Sequence, residues 1–278
     1  MISFESVTKT YPGSRRTAPE VVAVEDVSFE VDTGTITVLA GSSGCGKTTL
    51  LRMVNRMVTP TAGTIRVDGE DIAALNPVQL RRSIGYVMQH AGLLPHKTVA
   101  ENISVVPRLN GATKAQAKTA VGKMLELVAL PQDMADRYPA ELSGGQAQRV
   151  GVARALADEP KILLMDEPFG AVDPLVRADL QHQLLDIQCQ LGTTILFVTH
   201  DMPEALRLGH HIILLAERGR IMQHGSPIDL VAQPANAFVE DFLGLRATQN
   251  ALHLQHTDDG ATLVLDAHGR PTGFLESS

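Results

Sequence analysis

Apolar positions along the chain fall in short runs separated by stretches of helix-type spacing. Between Val27 and Val31 apolar and polar residues alternate, with Val27, Phe29 and Val31 on one side, as in a half-buried strand. Thr35 to Ala40 predicts a second strand running into a glycine-rich turn, and Lys47 to Arg56 predicts the helix that follows. Thr64 to Val67 and Ile84 to Met88 are further strands. From Thr98 to Ala140 the spacing is helical, rich in Ala, Lys, Gln and Leu and punctuated by Pro and Gly. Ile162 to Asp166 and Thr194 to Thr199 are compact apolar strands on either side of a helix from Leu175 to Gln190. Ile212 to Leu215 and Arg220 to Gln223 predict two more strands. Strands alternating with helices predict an α/β chain with a mostly parallel sheet covered by helices. The central helical stretch reads as an insertion.

After Gly244 the pattern changes. Ala247 to Asp259 is polar and weakly patterned, and Leu263-Val264-Leu265, the turn Asp266-Ala267-His268-Gly269 and Gly273-Phe274-Leu275 read strand, turn, strand. A domain boundary is expected near Arg246. A length of 278 residues fits two domains, or one large domain with an appendage.

Composition narrows the function class. The formal net charge of -7, from 24 Lys+Arg against 31 Asp+Glu, argues against a general nucleic-acid binder. Two cysteines, Cys45 and Cys189, make no disulfide framework and suit a reducing compartment. Met1 to Thr10 lacks the apolar core of a secretory leader. No run approaches the ~18 apolar residues of a membrane span. Work at a membrane would therefore need a partner to hold the chain there.

The chemistry begins at Gly41-Ser42-Ser43-Gly44-Cys45-Gly46-Lys47-Thr48, a G-x-x-x-x-G-K-[ST] run with a strand before it and a helix after it. Glycines let the backbone curl so that N–H groups point at phosphate oxygens, and the helix adds its positive end. Lys47 supplies charge for the β/γ-phosphates and Thr48 a hydroxyl for Mg²⁺. Cys45 reads as a small residue tolerated in the loop, with no redox role. The strand Ile162-Leu163-Leu164-Met165-Asp166-Glu167 delivers two carboxylates to the same crevice. Asp166 can help hold Mg²⁺, and Glu167 can polarise the attacking water.

Leu142-Ser143-Gly144-Gly145-Gln146 reads two ways: as a capping box of Ser143 and Gln146, and as an anion site whose glycines allow close approach of a phosphate. Both readings hold together. With the two motifs above, this run resembles the signature of the ABC ATPases, and from Ile2 to Gly244 the rest of the family pattern follows in order. The resemblance implies a P-loop NTPase ABC ATPase domain over residues 1–246, with a mixed sheet core, an antiparallel β subdomain and a helical subdomain inserted at about 90–155. It implies a head-to-tail homodimer in which each ATP lies between one subunit's phosphate loop and the other's signature, here Leu142, Ser143, Gly144, Gly145 and Gln146. Residues Gly41 to Thr49, including Thr49, would hold the nucleotide, and Tyr11 would stack on adenine. Thr48, Gln89 and Asp166 would hold Mg²⁺, with Gln89 also sensing the attacking water. Glu167 and His200 would act on the γ-phosphate. Asp173, in Gly170-Ala171-Val172-Asp173, would communicate across the dimer. Asp201 and Glu204 after His200 read as the cap of the next helix.

The family further implies transmembrane permease subunits, an indirectly linked periplasmic or lipoprotein solute-binding protein, and a peripheral place on the cytoplasmic face of a bacterial-type membrane. The segment His90 to Ile103 resembles that of importers of glycine betaine, choline and carnitine, and importers of methionine and other amino acids carry similar segments. Soluble ABC ATPases of DNA repair or translation usually show paired cassettes, coiled-coil insertions or zinc modules, and the sequence shows none. A non-catalytic regulator would show a damaged Glu167, His200 or signature. The strand-turn-strand at Leu263 to Leu275 resembles part of a CBS regulatory domain, but reads more readily as a plain hairpin. At Gly209-His210-His211 the family usually has an acidic residue; these two histidines read as surface residues.

Overall fold

The computed structural model describes residues 1–12, 20–170, 172–245, 253–256, 262–265 and 269–275. The chain divides into two compact units, Met1–Pro227 and Ile228–Ser278. The boundary expected near Arg246 and the turn residues Asp266, Ala267 and His268 lie outside the described residues.

The first unit opens with two long strands, β1 (Ile2–Tyr11) and β2 (Val21–Val31), followed by β3 (Ile36–Gly41) and α1 (Lys47–Val54). Next come β4 (Ala62–Val67), β5 (Glu70–Asp71), α2 (Pro77–Ser83) and β6 (Ile84–Val87). The predicted insertion follows as α3 (Val99–Ile103), α4 (Val105–Leu109), α5 (Lys114–Leu127) and α6 (Gly144–Leu156). The chain then re-enters its core through β7 (Ile162–Asp166), α7 (Pro174–Leu191), β8 (Thr194–Thr199), α8 (Met202–Leu208), β9 (His211–Leu215) and β10 (Ile221–Gly225).

Two sheets result. One is four-stranded and antiparallel, in the order β2-β1-β4-β5; the other is six-stranded, in the order β10-β9-β3-β8-β7-β6. In the larger sheet only β10 runs antiparallel to its neighbour; the pairs β9-β3, β3-β8, β8-β7 and β7-β6 are parallel. Every residue of β3, β7 and β8 is buried. That explains their unbroken apolar runs, since a parallel strand covered on both faces shows no alternation. One apolar cluster joins Ile2, Phe4 and Val27 of the small sheet to Leu50 and Met53 of α1 and to Leu39, Leu164 and Val198 of the large one. The two sheets thus clamp α1 between them, and α1 begins at the glycine-rich loop.

In the smaller sheet the sequence pattern shows residues 27–31 of β2 and 64–67 of β4 but conceals β1. Ile2 and Phe4 of β1 alternate inward, but Ser6 adopts φ 48 and the register slips before Val7, which returns to the core. Asp26 does the same in β2 at φ 47. Such bulges reset the period of two.

α9 (Pro227–Ala232) begins on the last residue of the first unit, and the second unit continues with α10 (Ala237–Phe242), β11 (His253–His256), β12 (Thr262–Leu265) and β13 (Pro271–Leu275). β12 and β13 pair antiparallel, as the strand-turn-strand pattern predicts, and β11 adds a third strand from the segment read as weakly patterned.

Candidate active site

The register of the large sheet fixes the site. Ala40 of β3 lies beside Thr199 of β8, Val198 beside Asp166 of β7, and Met165 beside Val87 of β6. The four parallel strands therefore end at one level. The glycine-rich loop, Gln89, Asp166 with Glu167, and His200 all leave the sheet there, the position where open α/β sheets bind ligands.

The loop from Gly41 to Gly46 needs its glycines. Gly41 and Gly46 have φ of 151 and 109, and a Cβ on them would lie 2.4 Å from the Leu215 carbonyl oxygen and 2.8 Å from that of Ala23. Gly46 caps α1 in the left-handed conformation without a side-chain cap. Lys47 is buried, and its Nζ donates to the carbonyls of Gly41 (2.7 Å) and Ser42 (2.8 Å) inside the curl. Burial pushes the Cys45 thiol up from its ordinary value, with Lys47 opposing more weakly. A thiol held protonated fits a packing role. A cleft of about 250 Å³ opens here, lined by Ala23, Ser43, Gly44, Gly46, Lys47, Thr48, Thr49 and Glu167. A larger cleft of about 830 Å³ lies at the opposite ends of β6 and β7, by Ile84 and Ile162, away from these groups.

Thr48 and Asp166 meet directly: the hydroxyl donates to Asp166 Oδ1 at 2.8 Å. The other carboxylate oxygen, Oδ2, accepts from Tyr86 (3.1 Å) and from Arg52 Nη2 (3.3 Å). Burial is the main cause that pushes the Tyr86 phenol up to about 12, so it stays a donor. Neither Tyr86 nor Arg52 was expected from the sequence. Arg52 could have been found, because it stands one helical turn after Thr48 and shares its face of α1. Tyr86 could not, because its reach depends on pairing with Leu164, two residues short of Asp166 on the adjacent strand.

Glu167 takes φ 46, with its N–H donating to Val198 O at 3.0 Å, so the sheet edge sets its backbone. Its Oε2 lies 3.0 Å from His200 Nδ1. Gln89 is exposed and lies against Gly170, where a Cβ would come within 3.3 Å of Gln89 Nε2. Asp173 precedes α7, and its carbonyl accepts from Arg177 N; Ala171 of the same loop lies outside the described residues. Tyr11 ends β1 opposite Val21, close along β2 to the cleft residue Ala23, with Lys9 Nζ 4.9 Å from its ring centre. His210 is exposed, as a surface residue is, and its Nδ1 also accepts the Ile36 N–H (3.1 Å) at the start of β3.

The signature stands apart. Ser143 Oγ accepts from Gln146 N (3.3 Å) and Gln146 Oε1 accepts from Ser143 N (2.9 Å), so the capping box forms at the start of α6. Ser143 and Gly144 are exposed, and none of Leu142 to Gln146 lines the 250 Å³ cleft.

The residues fit a Mg²⁺–nucleoside triphosphate. The curl admits no Cβ at Gly41 or Gly46, a buried ammonium sits inside it, and a hydroxyl and a carboxylate already converge as hard oxygen donors.

Behind His200, Glu204 of α8 is buried and accepts from Gln181 Nε2 at 2.9 Å. Burial raises its pKa above the ordinary 4.5. A raised carboxyl contributes its stability below the unfolded value and loses it as pH rises through the folded one. Glu204→Gln removes that slope. The Tm difference between variant and wild type is expected to shift in the variant's favour from about pH 5 to about pH 8. A constant difference across that range would contradict a buried, raised Glu204.

Comparison with known proteins agrees with this geometry. Residues 24–170 match the sequence profile of the ABC transporter family. The chain is 48% identical over 244 residues to the carnitine transport ATP-binding protein OpuCA of Listeria monocytogenes, covering 88% of this chain and 60% of that protein. It is 46% identical to the osmoprotectant import ATP-binding protein OsmV of Salmonella typhimurium, covering 99% of this chain and 79% of the relative. A solved dimer of an ATP-binding cassette, in a post-hydrolysis state bound to ADP and Pi, superposes with a TM-score of 0.73 at 30% identity, covering 82% of this chain and 99% of that one. The chain belongs to the ABC transporter family, and its fold is the α/β P-loop cassette with an antiparallel β subdomain and an inserted helical one. It spans 60% of the length of the carnitine relative. Among the described residues no helix is long and apolar enough to cross a membrane.

Proposed function

We propose that this chain is the ATP-hydrolysing subunit of an importer for quaternary-amine osmoprotectants such as glycine betaine, choline or carnitine. The catalytic part of the reading rests on one observation: the phosphate loop, Thr48 with Asp166, and Glu167 with His200 leave neighbouring parallel strands at one level. The cargo part rests on relatives named for carnitine transport and osmoprotectant import.

In this reading the backbone of Gly41 to Thr49 and the Lys47 ammonium hold the phosphates, while Tyr11 stacks on the base. Thr48, Gln89 and Asp166 would hold Mg²⁺, which supplies positive charge against the γ-phosphoryl group. Tyr86 and Arg52 occupy Asp166 Oδ2 and so leave Oδ1 turned to Thr48. Glu167 orients the attacking water and accepts its proton; the water oxygen bonds to the γ-phosphorus as the bond to ADP breaks. His200 fixes the Glu167 carboxylate and reaches the phosphoryl oxygens. Ser143, Gly145 and Gln146 complete the partner's site, and Asp173 lies at the dimer interface. Hydrolysis therefore requires a closed head-to-tail homodimer, whose closing and opening would move permease subunits at the cytoplasmic face of the membrane. A solute-binding protein outside the membrane would deliver the cargo.

The test is purification of the tagged chain from native membranes with whatever subunits accompany it. A multi-span permease, with ATPase activity stimulated by betaine, choline or carnitine through its binding protein, is the expected result. A permease complex stimulated instead by an amino acid would overturn the cargo, and recovery without a membrane subunit would overturn the transporter.

A further inference from the structure

Gln89 sits on a loop that has no regular structure of its own, yet its main chain is gripped on both sides of Gln89 by one helix. The Met88 carbonyl accepts from Gln148 Nε2 at 3.2 Å. The Ala91 and Gly92 carbonyls accept from Arg154 Nη2 and Nη1, each at 2.7 Å. Between these grips Gly151 brings the helix backbone against the loop; a Cβ there would lie 3.3 Å from that of Ala91. Gln148, Gly151 and Arg154 share one side of α6, the helix whose first residues are the signature.

Arg154 is an unusual choice for such a grip. Burial pushes its guanidinium below its ordinary value. Among the described residues no carboxylate forms an ion pair with it. Arg154 is half-buried, so it gives up part of its hydration with no counter-ion in return, which a neutral side chain would not. What the planar fork supplies is two parallel donors with fixed spacing, matched here to two successive carbonyls.

We propose that Arg154 is a positioning residue for Gln89: it pins the loop Met88–Gly92 to the signature helix, so that the Gln89 amide in one site and the signature presented to the other move as one body. Arg154 touches neither nucleotide cleft nor reacting atoms, and it acts through Gln89. The inference rests on the proposed ATPase reading for its kinetic consequence, and on geometry alone for the grip.

The test compares wild type, Arg154→Met, Arg154→Lys, Gln89→Ala and the double variant Gln89→Ala/Arg154→Met. Hydrogen exchange of peptides covering residues 88–94 should rise in Arg154→Met, and less in Arg154→Lys, while peptides of the phosphate loop stay as in wild type. ATP affinity measured without Mg²⁺ should stay within about twofold, because the cradle is untouched. The kcat should fall by about 10²-fold, the loss typical of a reacting group displaced by about an ångström. In the Gln89→Ala background the same substitution should change kcat by less than about threefold. If the two losses multiply, Arg154 does not act through Gln89 and the proposal is wrong. If loop exchange is unchanged in both Arg154 variants, the grip itself is absent. Should wild type fail to hydrolyse ATP in a complete complex, the ATPase reading fails, and the exchange data still decide the grip.

Discussion

Glu167→Gln is expected to bind ATP as wild type does, to hydrolyse it about 10²- to 10⁴-fold more slowly, and to accumulate as a closed dimer. The structure says why so small a change acts so selectively. The backbone of Glu167 is held in the left-handed region by its N–H bond to Val198, and a glutamine can occupy that seat. Its side chain keeps a polar atom for His200 Nδ1, 3.0 Å from the present oxygen. The phosphate loop and the Thr48–Asp166 contact are untouched. In the proposed mechanism what is lost is the basic oxygen beside the attacking water. Phosphate release, nucleotide affinity and solution mass with and without ATP check the three parts together. Turnover near the wild-type rate would remove Glu167 from the role of base.

Ser143→Arg should abolish hydrolysis while leaving ATP affinity within about twofold, since Ser143 lies away from its own subunit's cleft. The side chain is exposed, and in the proposed head-to-tail dimer an arginine there would project into the partner's γ-phosphate region. One complication is the cap. Ser143 Oγ accepts the Gln146 N–H, and losing a cap costs about 0.5–2 kcal/mol. Ser143→Asp separates the effects: aspartate keeps the cap and sets a like charge against the partner's phosphate. Both variants should be inactive, with only the arginine variant lowering Tm. Lost ATP binding in the aspartate variant would contradict a role across the dimer.

Much of this site was legible because its parts sit where a strand stops. Gly41, Asp166, Gln89 and His200 each follow an apolar run of strand length, and buried parallel strands announce themselves by unbroken apolarity. What remained hidden depends on pairing. Tyr86 reaches Asp166 only because β6 lies beside β7 in that register, and Arg154 reaches Ala91 and Gly92 only because α6 packs along a loop more than sixty positions earlier in the chain. β1 was hidden for a local reason: the bulge at Ser6 shifts the inward face by one residue, so alternation stops and restarts within six positions. His210 shows a third limit. Nothing in Gly209-His210-His211 indicates that one ring would accept the N–H that opens β3.

The claim at the centre of this account is that each nucleotide site is shared by two chains, and complementation tests it most directly. Glu167→Gln and Ser143→Arg subunits, each inactive alone, are mixed and phosphate release is followed. Their heterodimer pairs the wild-type cradle of the Ser143→Arg chain with the wild-type signature of the Glu167→Gln chain, one complete site. Mixing is predicted to restore phosphate release, whereas a chain carrying both substitutions, mixed with either single variant, restores none because no complete site forms. A mixture as inactive as its two components would contradict the shared site.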